Sequence, residues 1–378
     1  KPEWAIGTWC GASNLCILIG YSGRAILLYS LIGRTLLRIS TLAKGIGMEF
    51  LGYRHRRLRQ NETWRRAVRE TKLSTDDLVY PMFVTGGSGV RNSIESMPDI
   101  YQLSIDQVVE EAKEVVKLGI PAVLLFGIPD ESSKDSEGSP GYDPKGIIPS
   151  AIKAIKTACP DLLVWADVCL CEYTDHGHCG ILGSSGEIDN DATLPILSKM
   201  ALAYADAGAD AVAPSDMMDG RVGAIRRVLD DHNHSLVPII SYAAKYSSSY
   251  YGPFRDIANS CPSTGDRKSY QMDPSNVDEA MREVDQDIAE GVDIIIVKPA
   301  GSYLDVLWRV KQAFGMPTAA YQVSGEYAMI KAAGQKGWVD TEEVMIESLL
   351  SIKRAGADLI ISYFAKEIAK KLKGNSGT

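Results

Sequence analysis

Lys298 follows four consecutive aliphatic residues, Ile294, Ile295, Ile296 and Val297, and precedes Pro299. Such a run reads as a buried strand, and proline stops its pairing. An ammonium at the mouth of an apolar strand either snorkels to water or sheds its proton easily and becomes a nucleophilic amine. A second lysine, Lys245, ends the comparable run 237–244 (VPIISYAA). If the two strands are neighbours in one parallel sheet, both amines project from one face. Two ammonium groups held close repel, so one pKa falls. That pair suits a Schiff base with a carbonyl substrate.

A second constellation lies at 167–180, DVCLCEYTDHGHCG. Cys169, Cys171 and Cys179 are soft ligands suited to zinc. Three thiolates leave a fourth position for water or substrate, as in a catalytic site. His176 or His178 as a fourth ligand would make the site structural instead, and a Cys-x-Cys disulfide would close a strained loop. Between the two lysine strands runs a long polar segment, 250–274, with Phe254, Arg255, Arg267 and Gln271. A long loop in a compact domain is usually a lid or binding loop. Arg255 and Arg267 can pair with a carboxylate or simply face solvent.

These residues need a frame. From Leu78 onward, apolar runs recur at 78–84, 122–128, 162–168, 210–215, 237–243, 293–298, 317–323 and 358–363. Helical patterns lie between most of them: 104–118, 190–207, 277–290, 303–314 and 341–355. Gly119, Gly208, Gly291 and Gly356 follow four of these as C-terminal caps. Gly208-Ala209-Asp210, Gly291-Val292-Asp293 and Gly356-Ala357-Asp358 repeat one helix-to-strand connection. Eight strands alternating with helices predict an α/β fold, a (β/α)8 TIM barrel. An open doubly wound sheet is the alternative, weakened because no glycine-rich dinucleotide fingerprint follows an early strand. Barrel chemistry sits at the C-terminal strand ends. Those ends supply Phe126, Asp167, Ser215, Lys245, Lys298, Ser324 and Tyr363.

The 378 residues are 45% hydrophobic and 23% charged, with net charge -8. This is ordinary for a globular protein and argues against a nucleic-acid partner. A small anionic substrate needs only a local basic cluster. Seven cysteines, three of them within eleven residues, do not read as a secreted disulfide scaffold. Residues 1–47 differ from the rest, with one acid, Glu3, against Lys1, Arg24, Arg34, Arg38 and Lys44. The favoured reading is an extension upstream of a functional start at Met48, with a cytoplasmic catalytic domain. An organelle presequence is the alternative. Leu15–Ile32, broken by Gly20, Gly23 and Arg24, is a poor membrane helix. Residues 48–75 read as a basic arm that packs on another subunit, with a helical turn or two at Thr63–Glu70, and 76–378 as the catalytic domain.

The motifs DVCLCEYTDHGHCG, APSDMMDGR, SYAAKYSSSYYGPFRD, GDRKSYQMDP, DIIIVKPAGSYLD and YQVSGEYAM together resemble the 5-aminolevulinate dehydratases, also called porphobilinogen synthases. The resemblance spans residues 54–366. It implies a TIM-barrel enzyme of tetrapyrrole biosynthesis that condenses two 5-aminolevulinate molecules into porphobilinogen with loss of two waters. By resemblance, Lys298 forms the Schiff base with the first substrate, Lys245 stands beside it, and Asp167 assists proton transfer. Ser324 and Tyr363 take the first carboxylate, and Tyr251 and Phe254 line the pocket. Arg255, Arg267 and Gln271 bind the second substrate. Cys169, Cys171 and Cys179 hold the zinc that polarises it. Glu283 matches a position that binds an allosteric magnesium in some members; otherwise it is a solvated helix glutamate. The family also implies a homo-octamer. A class I aldolase would explain the lysines but not the cysteines. A zinc scaffold without catalysis would not keep every strand-end residue.

Overall fold

The computed structural model describes the backbone strands Ala5–Gly11, Asn14–Tyr21 and Arg24–Ser30, and residues 53–374. The chain divides into two compact units, Lys1–Arg69 and Glu70–Thr378. In the first, the three strands form an antiparallel meander. The stretch weighed as a membrane helix is therefore largely β-structure, and no described helix is long and apolar enough to cross a membrane. Gly20 and Gly23 divide the apolar run into pieces too short for a spanning helix. Met48 lies outside the described residues. The helical turn of the basic segment spans Glu62–Ala67, with Asn61 accepting from the Trp64 amide at 2.9 Å.

The second unit carries eight parallel strands: β1 (Leu78–Thr85), β2 (Ala122–Ile128), β3 (Leu163–Val168), β4 (Ala211–Pro214), β5 (Ile240–Lys245), β6 (Ile294–Lys298), β7 (Thr318–Gln322) and β8 (Leu359–Ser362). Their order is β4-β3-β2-β1-β8-β7-β6-β5. The ring closes between β4 and β5 through one parallel bridge, Val212 to Ile239, and a Val212 amide bond to the Pro238 carbonyl at 3.1 Å. The predicted barrel is the observed one. Helices cover its outside, among them α1 (Ile105–Lys117), α2 (Ile147–Ala158), α3 (Asn190–Asp206), α4 (Arg221–Asp231), α5 (Asp278–Glu290), α6 (Leu304–Phe314), α7 (Ser324–Gln335) and α8 (Thr341–Arg354).

The repeated Gly-x-Asp connection has a structural cause. Gly208, Gly291 and Gly356 have φ of 95°, 99° and 116°, which only glycine adopts without strain. Each following aspartate reaches across to the start of the preceding strand. Asp210 accepts from the Val164 amide at 2.8 Å, Asp293 from Ile239 at 2.8 Å and Asp358 from Thr318 at 2.7 Å. The three carboxylates thus tie β3 to β4, β5 to β6 and β7 to β8 at the N-terminal rim.

Candidate active site

β5 and β6 are paired neighbours with Lys245 opposite Lys298. Both lysines are 5% exposed. Lys298 Nζ sits in an aromatic cage, 4.4 Å from the Tyr321 ring centroid, 5.0 Å from Tyr242, 5.1 Å from Phe254 and 5.3 Å from Tyr251. Burial pulls its pKa down to about 7, and the Lys245 charge pushes the same way. Lys245 differs. Burial opposes its charge too, but the buried cysteine cluster outweighs that and holds its pKa up. One lysine therefore loses its proton near pH 7, while its neighbour is held toward the cationic form. Lys245 donates to the Ser215 carbonyl, and Ser215 Oγ donates to Asp167 at 3.0 Å. Burial, with Glu172 adding, raises Asp167 to about 7, against the pull of both lysines. Its second oxygen is buried without a partner.

The sulfur atoms of Cys169, Cys171 and Cys179 lie within 4.8 Å of one another, and all three are buried and unbridged. Hydrogen bonds from Cys169 and Cys171 hold the Cys179 thiol well below its ordinary pKa, while burial raises that of Cys169. Metal binding would displace the remaining protons. Neither histidine joins this group among the described residues. His178 spends both ring nitrogens elsewhere, on Tyr270 Oη at 3.1 Å and the Thr264 carbonyl at 2.9 Å. The three thiolates are a soft donor set that would suit a metal ion such as zinc. Glu172, whose carboxylate accepts from Cys171 Sγ at 3.3 Å, joins Asp167 and Cys169 in an overlapping ligand set.

The polar segment after β5 folds over this site through the short helix Gly252–Ala258. It is latched to backbone carbonyls of the metal loop. The Ser263 amide donates to the His176 carbonyl at 3.0 Å, and Arg267 donates to the Gly177 carbonyl at 2.9 Å. Gly177 has φ +70, and a Cβ there would meet the Cys261 carbonyl oxygen at 2.5 Å, so the close approach requires glycine. Several lid groups are buried without partners: Nε of Arg255, Nε of Arg267 and both amide atoms of Gln271. The two orphaned guanidinium donors are what an anionic ligand would satisfy.

One cavity is lined by Phe126, Ser215, Lys245, Tyr251, Phe254, Arg255, Arg267 and Lys298, with Cys171 and Glu172. Asp167 joins it through Ser215. Ser324 and Tyr363 lie outside its lining. Ser324 Oγ accepts from the Phe254 amide at 3.0 Å, and the Tyr363 hydroxyl meets that of Tyr321 at 3.0 Å. Gln271 and Glu283 instead line a separate cleft of about 630 Å³. Glu283 is half-buried, and burial raises its pKa. It belongs to no three-ligand cluster among the described residues. Sequence reasoning missed Tyr242, Tyr321 and Glu172. Glu172 stands inside the cysteine motif, where the thiols drew all the weight. The tyrosines look like ordinary strand residues until the strands are closed into a ring.

The comparisons agree with this geometry. The family model described as delta-aminolevulinic acid dehydratase matches residues 52–371. A relative of that description from Synechocystis sp. is 54% identical over 322 residues, covering 84% of this chain and 98% of its own length. One from Halalkalibacterium halodurans is 55% identical over 327 residues, covering 86% and 99%. Among solved structures, delta-aminolevulinic acid dehydratase (porphobilinogen synthase) from Toxoplasma gondii, in complex with the reaction product porphobilinogen, aligns with a TM-score of 0.84 at 44% identity. That alignment covers 86% of this chain and 94% of the other. With a parallel barrel, two lysines side by side in its mouth and this match along most of its length, the chain belongs to the delta-aminolevulinic acid dehydratase family.

Proposed function

We propose that this protein condenses two 5-aminolevulinate molecules into porphobilinogen, releasing two waters, and that Lys298 holds the first substrate covalently. The observation that carries this reading is the pair of buried lysines set opposite each other on neighbouring strands, beside a three-thiolate cluster. Neutral Lys298 attacks the ketone of the first substrate. The new C–N bond becomes an imine as the ketone oxygen leaves in water, its protons drawn from the amine and the surroundings. Cationic Lys245 and Asp167, poised near neutrality, are placed to move those protons. By the family resemblance Ser324 and Tyr363 are assigned to the first carboxylate, and Arg255, Arg267 and Gln271 to the second substrate, although Gln271 lines the neighbouring cleft. Tyr251, Phe254 and Phe126 exclude water around the amine. Cys169, Cys171 and Cys179 would hold zinc, which supplies Lewis-acid polarisation of the second ketone. Holding both ketones side by side would convert a two-molecule condensation into an oriented, local step.

A homo-octamer, an arm function for residues 48–75, cytoplasmic residence and an activating magnesium at Glu283 belong to the same proposal and rest on the family resemblance.

Borohydride trapping with 5-aminolevulinate, followed by peptide mapping with and without a zinc chelator, tests the core of it. A reduced adduct on Lys298 that survives chelation, while porphobilinogen formation stops, is the expected outcome. Folded, zinc-loaded protein that yields no adduct on Lys298 or Lys245 would overturn it.

A further inference from the structure

Strand β5 carries a stereochemical conflict. Side chains alternate along a strand, so residues three apart should face opposite ways. Tyr242 and Lys245 are three apart, yet both face the barrel interior. Lys245 Nζ lies 5.7 Å from the Tyr242 ring centroid, and Lys298 Nζ lies 5.0 Å from the same ring. A β-bulge resolves the conflict. Ser241 pairs with Ile295 and Ala244 with Val297, so β5 carries one residue more than β6 between those pairs.

The bulge is gripped from outside the barrel by Arg221 on α4. This arginine is 2% exposed. Its Nη2 donates to the Tyr242 carbonyl, inside the bulge, at 3.3 Å and to Ser241 Oγ at 2.9 Å. Asp287 on α5 lies 3.2 Å from Nη2 and accepts from Ser241 Oγ at 2.6 Å. Nη1 donates to the Met218 carbonyl, in the loop after β4, at 3.1 Å. The arginine therefore spans the β4–β5 seam, the weakest join in the ring. Across that same seam Lys245 donates to the Ser215 carbonyl.

We propose that Arg221 is a positioning residue: with Ser241 and Asp287 it fixes the β5 bulge, and the bulge places the Lys245 amine against Lys298 and Ser215. The consequence for turnover rests on the two-lysine reading above. A planar fork can bind a carbonyl, a hydroxyl and a carboxylate at once, which a lysine cannot reproduce. Arg221→Lys keeps the cation beside Asp287 but loses the fork. Lys245 then swings away from Lys298. The charged groups around Lys298 are Lys245, Asp167, Cys171 and Glu172, with Arg255 and Arg267 lining the same cavity and the neutral phenols of Tyr242, Tyr251 and Tyr321 ringing the amine. Of the charged groups, only Lys245 sits on the strand that Arg221 holds.

The experiment is competitive labelling with trace acetic anhydride across pH, mapped to the Lys298 peptide, on the zinc-loaded full chain. Arg221→Lys is expected to move the Lys298 midpoint up by roughly half a unit or more, as the repulsion from Lys245 weakens. Ser241→Ala should move it less, in the same direction. Ile225→Ala, a core truncation on the same helix, controls for lost stability and should lower Tm without moving the midpoint. Midpoints in Arg221→Lys and Ser241→Ala that coincide with the parent, at a Tm loss matching Ile225→Ala, would reduce Arg221 to a structural cross-link and overturn the proposal. Borohydride trapping run in parallel separates the two readings. A parent without a Lys298 adduct defeats the proposed chemistry, while the labelling midpoint still decides the role of Arg221.

Discussion

A lysine amine attacks a ketone only without its proton, and Lys298 sheds it near pH 7 because burial and a neighbouring cation both disfavour its charge. The sign of the pH dependence follows. Adduct formation at Lys298 should climb as pH rises through about 7, until the amine is fully neutral. Lys245→Met removes the repulsion but leaves the burial, so the climb should move to higher pH; rates of borohydride-trapped adduct formation would show it. An unmoved profile would mean that desolvation acts alone. Lys298→Met should lower porphobilinogen formation by roughly a thousandfold or more, since the nucleophile itself is lost. Arg267→Ala should spare the Lys298 adduct but cut porphobilinogen formation, because it removes a lid donor assigned to the second substrate.

At the scale of elements, three aspartates tie strands together in pairs. Asp358→Ala leaves the Thr318 amide unpaired at a barrel rim and should cost about 1–3 kcal/mol, measured by denaturant unfolding. The lid depends on the metal loop through Ser263, Arg267 and Tyr270. Chelation leaves three cysteines and Glu172 crowded without a cation. Amide exchange across 252–272 should then quicken, while the barrel strands stay protected. Much of this architecture was legible in the sequence. The eight apolar runs and the five named helices fall within three residues of the observed bounds, because burial on both faces and glycine caps leave strong local marks. The cysteine cluster was legible for the same reason, being contiguous. What the sequence hid was non-local. The period-two rule gives no warning of the β5 bulge, so Tyr242 and Lys245 could not be seen to share a face. Arg221 closes the motif APSDMMDGR, and nothing local marks it as buried until α4, α5 and β5 are brought together.

For the molecule as a whole, the two units differ in chemistry: every assigned catalytic, substrate and metal residue lies within Glu70–Thr378. A chain truncated before Met48 should form the Lys298 adduct as the full chain does. Its mass in solution, by light scattering, would test whether residues 48–75 suffice for assembly. The seam between β4 and β5 has a further meaning. The chain crosses it through α4 and then a solvent-facing loop in which Leu236 is 94% exposed. Cutting there divides the protein into two half-barrels of four strands each. One half keeps the three thiols, Asp167 and Ser215; the other keeps both amines and the lid. Neither half holds a working centre, so the protein contains a natural split point. Co-expressed halves would regain activity only by rejoining, and product formation would report their reunion.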